Sequence, residues 1–190
     1  MKNLKCFKNR DAPCSAEMES LPNNLRLIDW PHFPFKALPL DFDPKKLVKL
    51  NMPGSSCMLQ LGGTFKSCRY LKYINLESCS CLQVVPSLSE FPQLQELNLK
   101  DCTSLTGVDD SVGHHKNLVV LSLAGCHNLT VLPGAIAWKN AREINLYHCS
   151  KLKTFPDILE EMESVTCLEL FKTAITDCLH QFHISLDLNI

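Results

Sequence analysis

Residues 71–102 read LKYINLESCSCLQVVPSLSEFPQLQELNLKDC, and one phrase occurs in them twice. Leu71, Ile74, Leu76 and Cys79 return 23 residues later as Leu94, Leu97, Leu99 and Cys102. The fourth and sixth members of the phrase lie two residues apart, so on a strand they share a face. The residues around them, Lys72, Asn75 and Glu77, are polar. The pattern is that of a short strand with one buried and one wet face, followed by a corner.

The phrase continues in both directions. It begins at Met1, Leu25, Leu47, Leu71, Leu94, Leu118, Ala141 and Val165, at intervals of 24, 22, 24, 23, 24, 23 and 24 residues. Its fourth place is aliphatic throughout: Leu4, Ile28, Leu50, Ile74, Leu97, Leu121, Ile144 and Leu168. Its sixth place is apolar throughout: Cys6, Trp30, Met52, Leu76, Leu99, Leu123, Leu146 and Leu170. Leu82, Leu105, Leu129 and Leu152 follow in the twelfth place, and Val85, Val108, Leu132 and Phe155 in the fifteenth. Pro86, Pro133 and Pro156 come next and remove a backbone donor, which disfavours helix there. Leu88, Val112, Ile136 and Ile158 add one more apolar side chain before the next strand.

Each block is therefore one turn of a coil: a strand, a corner, and an irregular or short helical return. Such turns stack into a solenoid of class α/β, with a curved parallel sheet on the concave face and the returns on the convex face. About eight turns, over residues 1–178, extend for roughly 35 to 40 Å at the spacing of neighbouring strands. The ninth place reads Asn9, Phe33, Ser55, Cys79, Cys102, Cys126, Cys149 and Thr173. A short side chain with a donor at that corner can satisfy backbone groups that the sheet leaves unpaired. Phe33 breaks this rule. Residues 179–190 alternate Ile184, Leu186, Leu188, Ile190, which suits a last edge strand or a disordered tail.

Composition narrows the functional classes. The 190 residues carry a formal net charge of -1, which gives no general pull toward nucleic acid or a membrane surface. No stretch approaches the roughly 18 apolar residues that span a bilayer. The N-terminal residues mix charges and lack an apolar run, so no secretory signal is expected and the compartment is expected to be reducing. Eleven cysteines, an odd number, argue there against a disulfide framework.

With the turns aligned, the segment from Leu25 to Thr176 resembles the leucine-rich-repeat region of plant intracellular immune receptors. The class most similar is the one with a Toll/interleukin-receptor domain and a nucleotide-binding domain upstream. The phrases that carry the resemblance are LPNNLRLIDWPHFPFKALP, LVKLNMPGSS, LKYINLESCSCLQVVPSLSEFPQLQELNLKDCTSL, CSKLKTFPDI and LELFKTAIT. The resemblance implies a defence role, with sensing of pathogen proteins and restraint of a nucleotide-binding module. It implies no enzyme activity and no cofactor in this chain, since such receptors bind ADP or ATP in an upstream domain. The implied partners are proteins: a pathogen effector or host protein, and the nucleotide-binding domain. Nucleic acid, membrane and small-molecule substrate are not implied. The implied location is the cytoplasm or nucleus. Nothing in the chain resembles the upstream domains, so a partial receptor or a shortened product is expected. A ubiquitin-ligase substrate adaptor and an extracellular receptor fragment are alternatives. The extracellular class carries a repeated Leu-x-Gly-x-Ile-Pro phrase, approached here only at residues 105–108.

Other chemistry is weakly signalled. Cysteines spaced one per turn lack the close pairing of zinc ligands. GGTFKS at residues 62–67 lacks the second glycine of a phosphate loop. No histidine lies in a nucleophile motif, and no catalytic or metal residue is expected. The candidate partner surface comprises strand residues that point away from the core: Lys72, Tyr73, Asn75, Glu77, Gln95, Glu96, Asn98, Lys100, Asp101 and Ser122. It continues through Arg142, Glu143, Asn145, Tyr147, His148, Glu169, Phe171 and Lys172. Tyr73, Arg142, Tyr147 and Phe171 are the expected anchors, because aromatic and arginine side chains dominate binding hot spots.

Strand facing gives a direct test. Leu121→Asp puts a carboxylate without a partner into the shared core and should abolish cooperative unfolding. Ser122→Asp, one residue on, should leave the circular dichroism spectrum nearly unchanged. Equal damage from both substitutions would overturn the assigned facing.

Overall fold

A computed structural model describes residues 3–10, 18–61, 68–85 and 87–176. Met1, Cys14, the GGTFKS segment, Pro86, Cys178 and the 179–190 segment lie outside the described residues. The chain coils as the repeat predicts. Eight three-residue strands form one parallel sheet: β1 (Cys6–Lys8), β2 (Leu27–Asp29), β3 (Lys49–Asn51), β4 (Tyr73–Asn75), β6 (Glu96–Asn98), β8 (Val120–Ser122), β10 (Glu143–Asn145) and β12 (Cys167–Glu169). The remaining four, β5 (Val84–Val85), β7 (Gly107–Val108), β9 (Ala135–Ile136) and β11 (Asp157–Ile158), pair two by two on the returns. The returns also hold two single 3-10 turns, Leu88–Glu90 and Asp110–Val112. No α-helix occurs among the described residues.

The register repeats without slippage from β2 onward. Ile28, Leu50, Ile74, Leu97, Leu121, Ile144 and Leu168 lie opposite one another in successive strands. All but Leu168 are fully buried, as are the sixth-place residues from Trp30 to Leu146. Leu168 and Leu170 are half-buried. The core is one continuous cluster from Leu21 to Phe155.

Backbone bonds extend the sheet past each strand in both directions. The second-place carbonyl of one turn accepts two N–H groups from the next, as Lys72 does from Gln95 (2.9 Å) and Glu96 (3.0 Å). The eighth-place N–H donates to the seventh-place carbonyl of the next turn, as Ser78 does to Lys100 (2.7 Å). That geometry turns the eighth residue into the left-handed region in every turn from the second to the last: His32, Gly54, Ser78, Asp101, Gly125, His148 and Lys172. Glycine reaches that region freely, whereas other residues do so at a cost of roughly 1–2 kcal/mol.

The first turn departs from the expected spacing. Phe7, not Leu4, lies opposite Ile28, and Cys6 lies opposite Leu27 with its side chain exposed. The Lys5 carbonyl accepts the Arg26 and Leu27 N–H groups, which is the second-place role. Leu4 therefore begins the turn. Asn9 takes the sixth place, donating its N–H to Asp29, rather than the ninth. The reason is packing: the Phe7 ring sits 5.0 Å from the Trp30 ring and fills the space that a leucine fills elsewhere. Phe33 is buried as well, edge-on to Trp30 at 5.0 Å and to Phe35 at 5.3 Å. An aromatic cluster thus stands where other turns place a ninth-place side-chain donor.

In the middle turns the cysteines perform the corner role. Cys79, Cys102, Cys126 and Cys149 each donate a thiol hydrogen to the sixth-place carbonyl of the preceding turn, at 3.4, 3.2, 3.1 and 3.1 Å. Each sulfur also meets the ninth-place N–H of that turn. Burial pushes the Cys79 and Cys149 thiols up to about 11 and Cys102 to about 12, and Cys126 higher still. They remain protonated donors. Ser55 serves the same corner differently: its hydroxyl accepts from the Phe33 N–H (3.1 Å) and donates to its own turn's Met52 carbonyl (2.8 Å).

His115 takes the place that Phe91 and Trp138 occupy in neighbouring turns, closing the return just before the strand. Its Nε2 lies 2.8 Å from the Phe91 carbonyl oxygen, and its Nδ1 is buried without a partner. Burial holds its pKa below the ordinary 6.5.

Two measurements follow from these features. Ser78→Gly should raise unfolding free energy by about 1 kcal/mol, and Ser78→Val should lower it, in urea titrations. For His115 the unfolded chain binds the proton more readily than the folded one. Its contribution is therefore fully present above about pH 6.5 and is lost as pH falls below that value. His115→Phe should flatten the dependence of unfolding free energy on pH below 6.5; an unchanged slope would exclude His115 as its source.

Candidate partner-binding surface

The concave face is built from the third and fifth places of each strand. The third-place row runs Cys6, Leu27, Lys49, Tyr73, Glu96, Val120, Glu143, Cys167, and the fifth-place row runs Lys8, Asp29, Asn51, Asn75, Asn98, Ser122, Asn145, Glu169. The fifth-place oxygens have a structural task as well as an exposed one. Asn75, Asn98, Asn145 and Glu169 each accept the N–H two residues on, at 3.0 Å, which closes the end of the strand. In the second and third turns the seventh residue is Pro31 or Pro53, which has no N–H to offer. There the side chains bond between turns instead: Asn51 donates to Asp29 (2.7 Å) and Asn75 to Asn51 (2.8 Å). Arg10 completes this ladder 3.2 Å from Asp29. The Asn51 amide, aided by Arg10, holds the Asp29 carboxyl below its usual value against the opposing effect of burial.

The expected surface residues fall into separate groups. Glu77, Asn98, Lys100 and Asp101 form a charged cluster at the strand ends. Lys100 Nζ lies 3.1 Å from Glu77 and 3.9 Å from Asp101, and the Glu77 bond raises the Lys100 pKa. Exposed pairs of this kind contribute at most about 1 kcal/mol. Lys72, Gln95 and Arg142 sit at the second place, where their carbonyls carry the doubled backbone bonds. Tyr73, Glu96, Ser122 and Glu143 lie on the concave strands.

A further group gathers at the corner edge of the last turns. The Tyr147 and Phe171 rings stack at 6.0 Å, inclined by 22°, although 36% and 63% of these residues remain exposed. Lys172 Nζ lies 5.7 Å from both ring centres. His148 packs against Tyr147 at 5.8 Å and against His127 at 4.4 Å. Of the four expected anchors, Tyr147 and Phe171 meet here. Tyr73 stands three strands away, roughly 14 Å at the usual strand spacing. Phe171 is held by the Glu169 cap, and Tyr147 by the Asn145 cap, so both rings project from fixed backbone.

No family model matches the chain. Among curated proteins it is similar to disease resistance-like protein DSC1 of Arabidopsis thaliana, with 34% identity over 131 residues, 63% of this chain and 11% of that protein. Disease resistance protein RRS1 of the same plant is 38% identical over 91 residues, 48% of this chain and 7% of its own length. Among solved structures it resembles the leucine-rich repeat domain of the type III effector XCV3220 (XopL), at 27% identity and a TM-score of 0.50, covering 58% of this chain and 38% of that one. The chain is a leucine-rich-repeat domain related to plant disease-resistance proteins. It spans about a tenth of the length of the curated relatives it matches.

The repeat domain also presents surface residues that the strand pattern alone passes over. Arg10 and Asn51 join the concave face by bonding the buried Asp29 in the proline-driven ladder. His127 and Lys151 join the corner edge from the tenth and eleventh places: His127 Nδ1 lies 3.1 Å from the His148 carbonyl oxygen, and Lys151 donates to Asn128 at 2.8 Å. The signal for the first set was the pair Pro31 and Pro53. For the second, the phrase ends too early to include them. Among the described residues no cluster of three or more His, Cys, Asp or Glu could hold a metal ion, and no helix is long and apolar enough to cross a membrane.

Proposed function

We propose that this leucine-rich-repeat domain recognises protein partners for a plant immune receptor, sensing pathogen proteins and helping to hold a nucleotide-binding module inactive. The observation that carries this reading is the contrast between rows of the sheet. From the second turn on, the fourth and sixth places stay apolar, while the third and eighth places carry a different residue at each successive strand. Such a scaffold fixes exposed side chains in space without constraining what they are. The resistance proteins it is similar to support the immune setting. The surface of recognition comprises the concave third-place row and the edge formed by Tyr147, His148, Phe171 and Lys172. Its work is binding rather than catalysis, and its setting is the cytoplasm or nucleus.

Restraint and release follow from differential affinity. A partner switches the receptor only to the extent that it binds the active arrangement more tightly than the resting one. Contacts from the concave face to the nucleotide-binding module favour rest, and a pathogen protein competing for them favours activity.

A segment exchange tests the reading. The matching repeats of disease resistance-like protein DSC1 are replaced by this chain, or deleted, and leaf cell death without pathogen is scored. The exchanged receptor should stay quiet and the deletion should not. Charge reversal at Glu96 and Glu143 should release the exchanged receptor while leaving its abundance unchanged. An exchange as active as the deletion, or insensitive to both reversals, would overturn the restraining role.

A further inference from the structure

Two of the exposed cysteines occupy the same place in adjacent turns. Counting from Leu47 and Leu71, Cys57 and Cys81 are both the eleventh residue. From the second turn on the row reads Phe35, Cys57, Cys81, Ser104, Asn128, Lys151 and Ile175, so among these turns only the third and fourth bring two thiols together there. Neither is used by the corner ladder, and both are exposed and free.

Their backbones follow the same path. Ser56 donates to Gly54 (2.8 Å) as Ser80 does to Ser78 (3.0 Å), and Met58 donates to Ser55 (3.0 Å) as Leu82 does to Cys79 (3.0 Å). Bonds between the two turns bracket the pair on both sides. Before it, Gly54 N–H donates to the Glu77 carbonyl (2.7 Å), and the Cys79 thiol donates to the Met52 carbonyl (3.4 Å). After it, Gln83 N–H reaches the Leu59 carbonyl at 3.4 Å. A chain pair locked in this register runs one strand spacing apart, ~4.8 Å. That lies inside the Cα separation of roughly 4.4–6.8 Å that a disulfide spans. The same row shows side-chain contact elsewhere, since the eleventh-place Lys151 and Asn128 bond across neighbouring turns at 2.8 Å.

We infer that Cys57 and Cys81 form a reversible disulfide across the third and fourth turns when the chain meets peroxide. One thiolate attacks a peroxide oxygen, breaking the O–O bond to give a sulfenic acid and hydroxide, which takes up a proton as water. The second thiolate attacks the sulfenic sulfur and displaces its hydroxyl as a second water. Two thiols and one hydrogen peroxide thus give one disulfide and two waters. The buried ladder cysteines stay out of this chemistry because each thiol is protonated, hydrogen-bonded and shielded. Because both sulfurs face solvent, a small thiol can reopen the bond. Closing it staples the third and fourth turns to each other, whatever partner the concave face binds.

The test uses the full 190-residue chain. It is treated with hydrogen peroxide, free thiols are alkylated, and the bridge is mapped by mass spectrometry in a Cys79→Ser background and in the unaltered chain. A Cys57–Cys81 linked peptide should appear in both, disappear with dithiothreitol, and be absent from Cys57→Ser and Cys81→Ser variants. Thermal midpoints should rise on oxidation of the unaltered chain and not of either single variant. Independent over-oxidation of the two residues without a link, or linkage of Cys57 to another cysteine, would overturn the inference.

Discussion

The whole solenoid depends on satisfying the backbone where each strand turns its corner. A three-residue strand offers too few ladder bonds to hold a turn, and the chain must then leave the sheet through the interior of the stack. Unpaired carbonyls there would cost about 1–3 kcal/mol each. The corner solves this twice over: the left-handed eighth residue keeps donating along the sheet, and the ninth residue reaches back to the carbonyl of the turn before. A thiol suits the ninth place because it is small, tolerates burial, and still carries a hydrogen to donate.

This constraint also explains where the two ends differ from the middle. At the N-terminal side, the Phe33 side chain offers no donor, and aromatic packing of Phe7, Trp30, Phe33 and Phe35 adds to the cohesion of the stack. At the other end, Thr173 donates to Leu170 within its own turn (2.8 Å), and Leu168 and Leu170 are only partly covered. The middle turns therefore carry the regular thiol ladder. The exposed edge of Tyr147, Phe171 and Lys172 lies where that regular ladder gives way.

Function and stability share the same few atoms on the concave face. Asn75, Asn98, Asn145 and Glu169 lie on the exposed side of the sheet, yet one oxygen of each is committed to closing its own strand. Partner contact there must use what remains: the amide groups, the third-place row, and the seventh and eighth side chains. Variation at the third place costs the fold little, whereas the eighth place favours residues that reach the left-handed region and the fifth place supplies the strand-end acceptor in four turns.

The sequence by itself determined the coil. The spacing of Leu71, Ile74, Leu76 and Cys79 and of their counterparts fixed strand, facing and corner, because each is a local pattern repeated at a constant interval. It also marked the ninth-place cysteines as structural, since one thiol per turn matches a need that arises once per turn. Only the tertiary structure decided the register of the first turn, where the size of Phe7 against Trp30 outweighed a regular count from Met1. It alone revealed that Pro31 and Pro53 redirect Asp29 and Asn51 into a ladder, and that Tyr147 and Phe171 stack while Tyr73 stands apart. Those outcomes depend on which side chains from different turns meet, and a periodic sequence specifies the places without specifying the encounters.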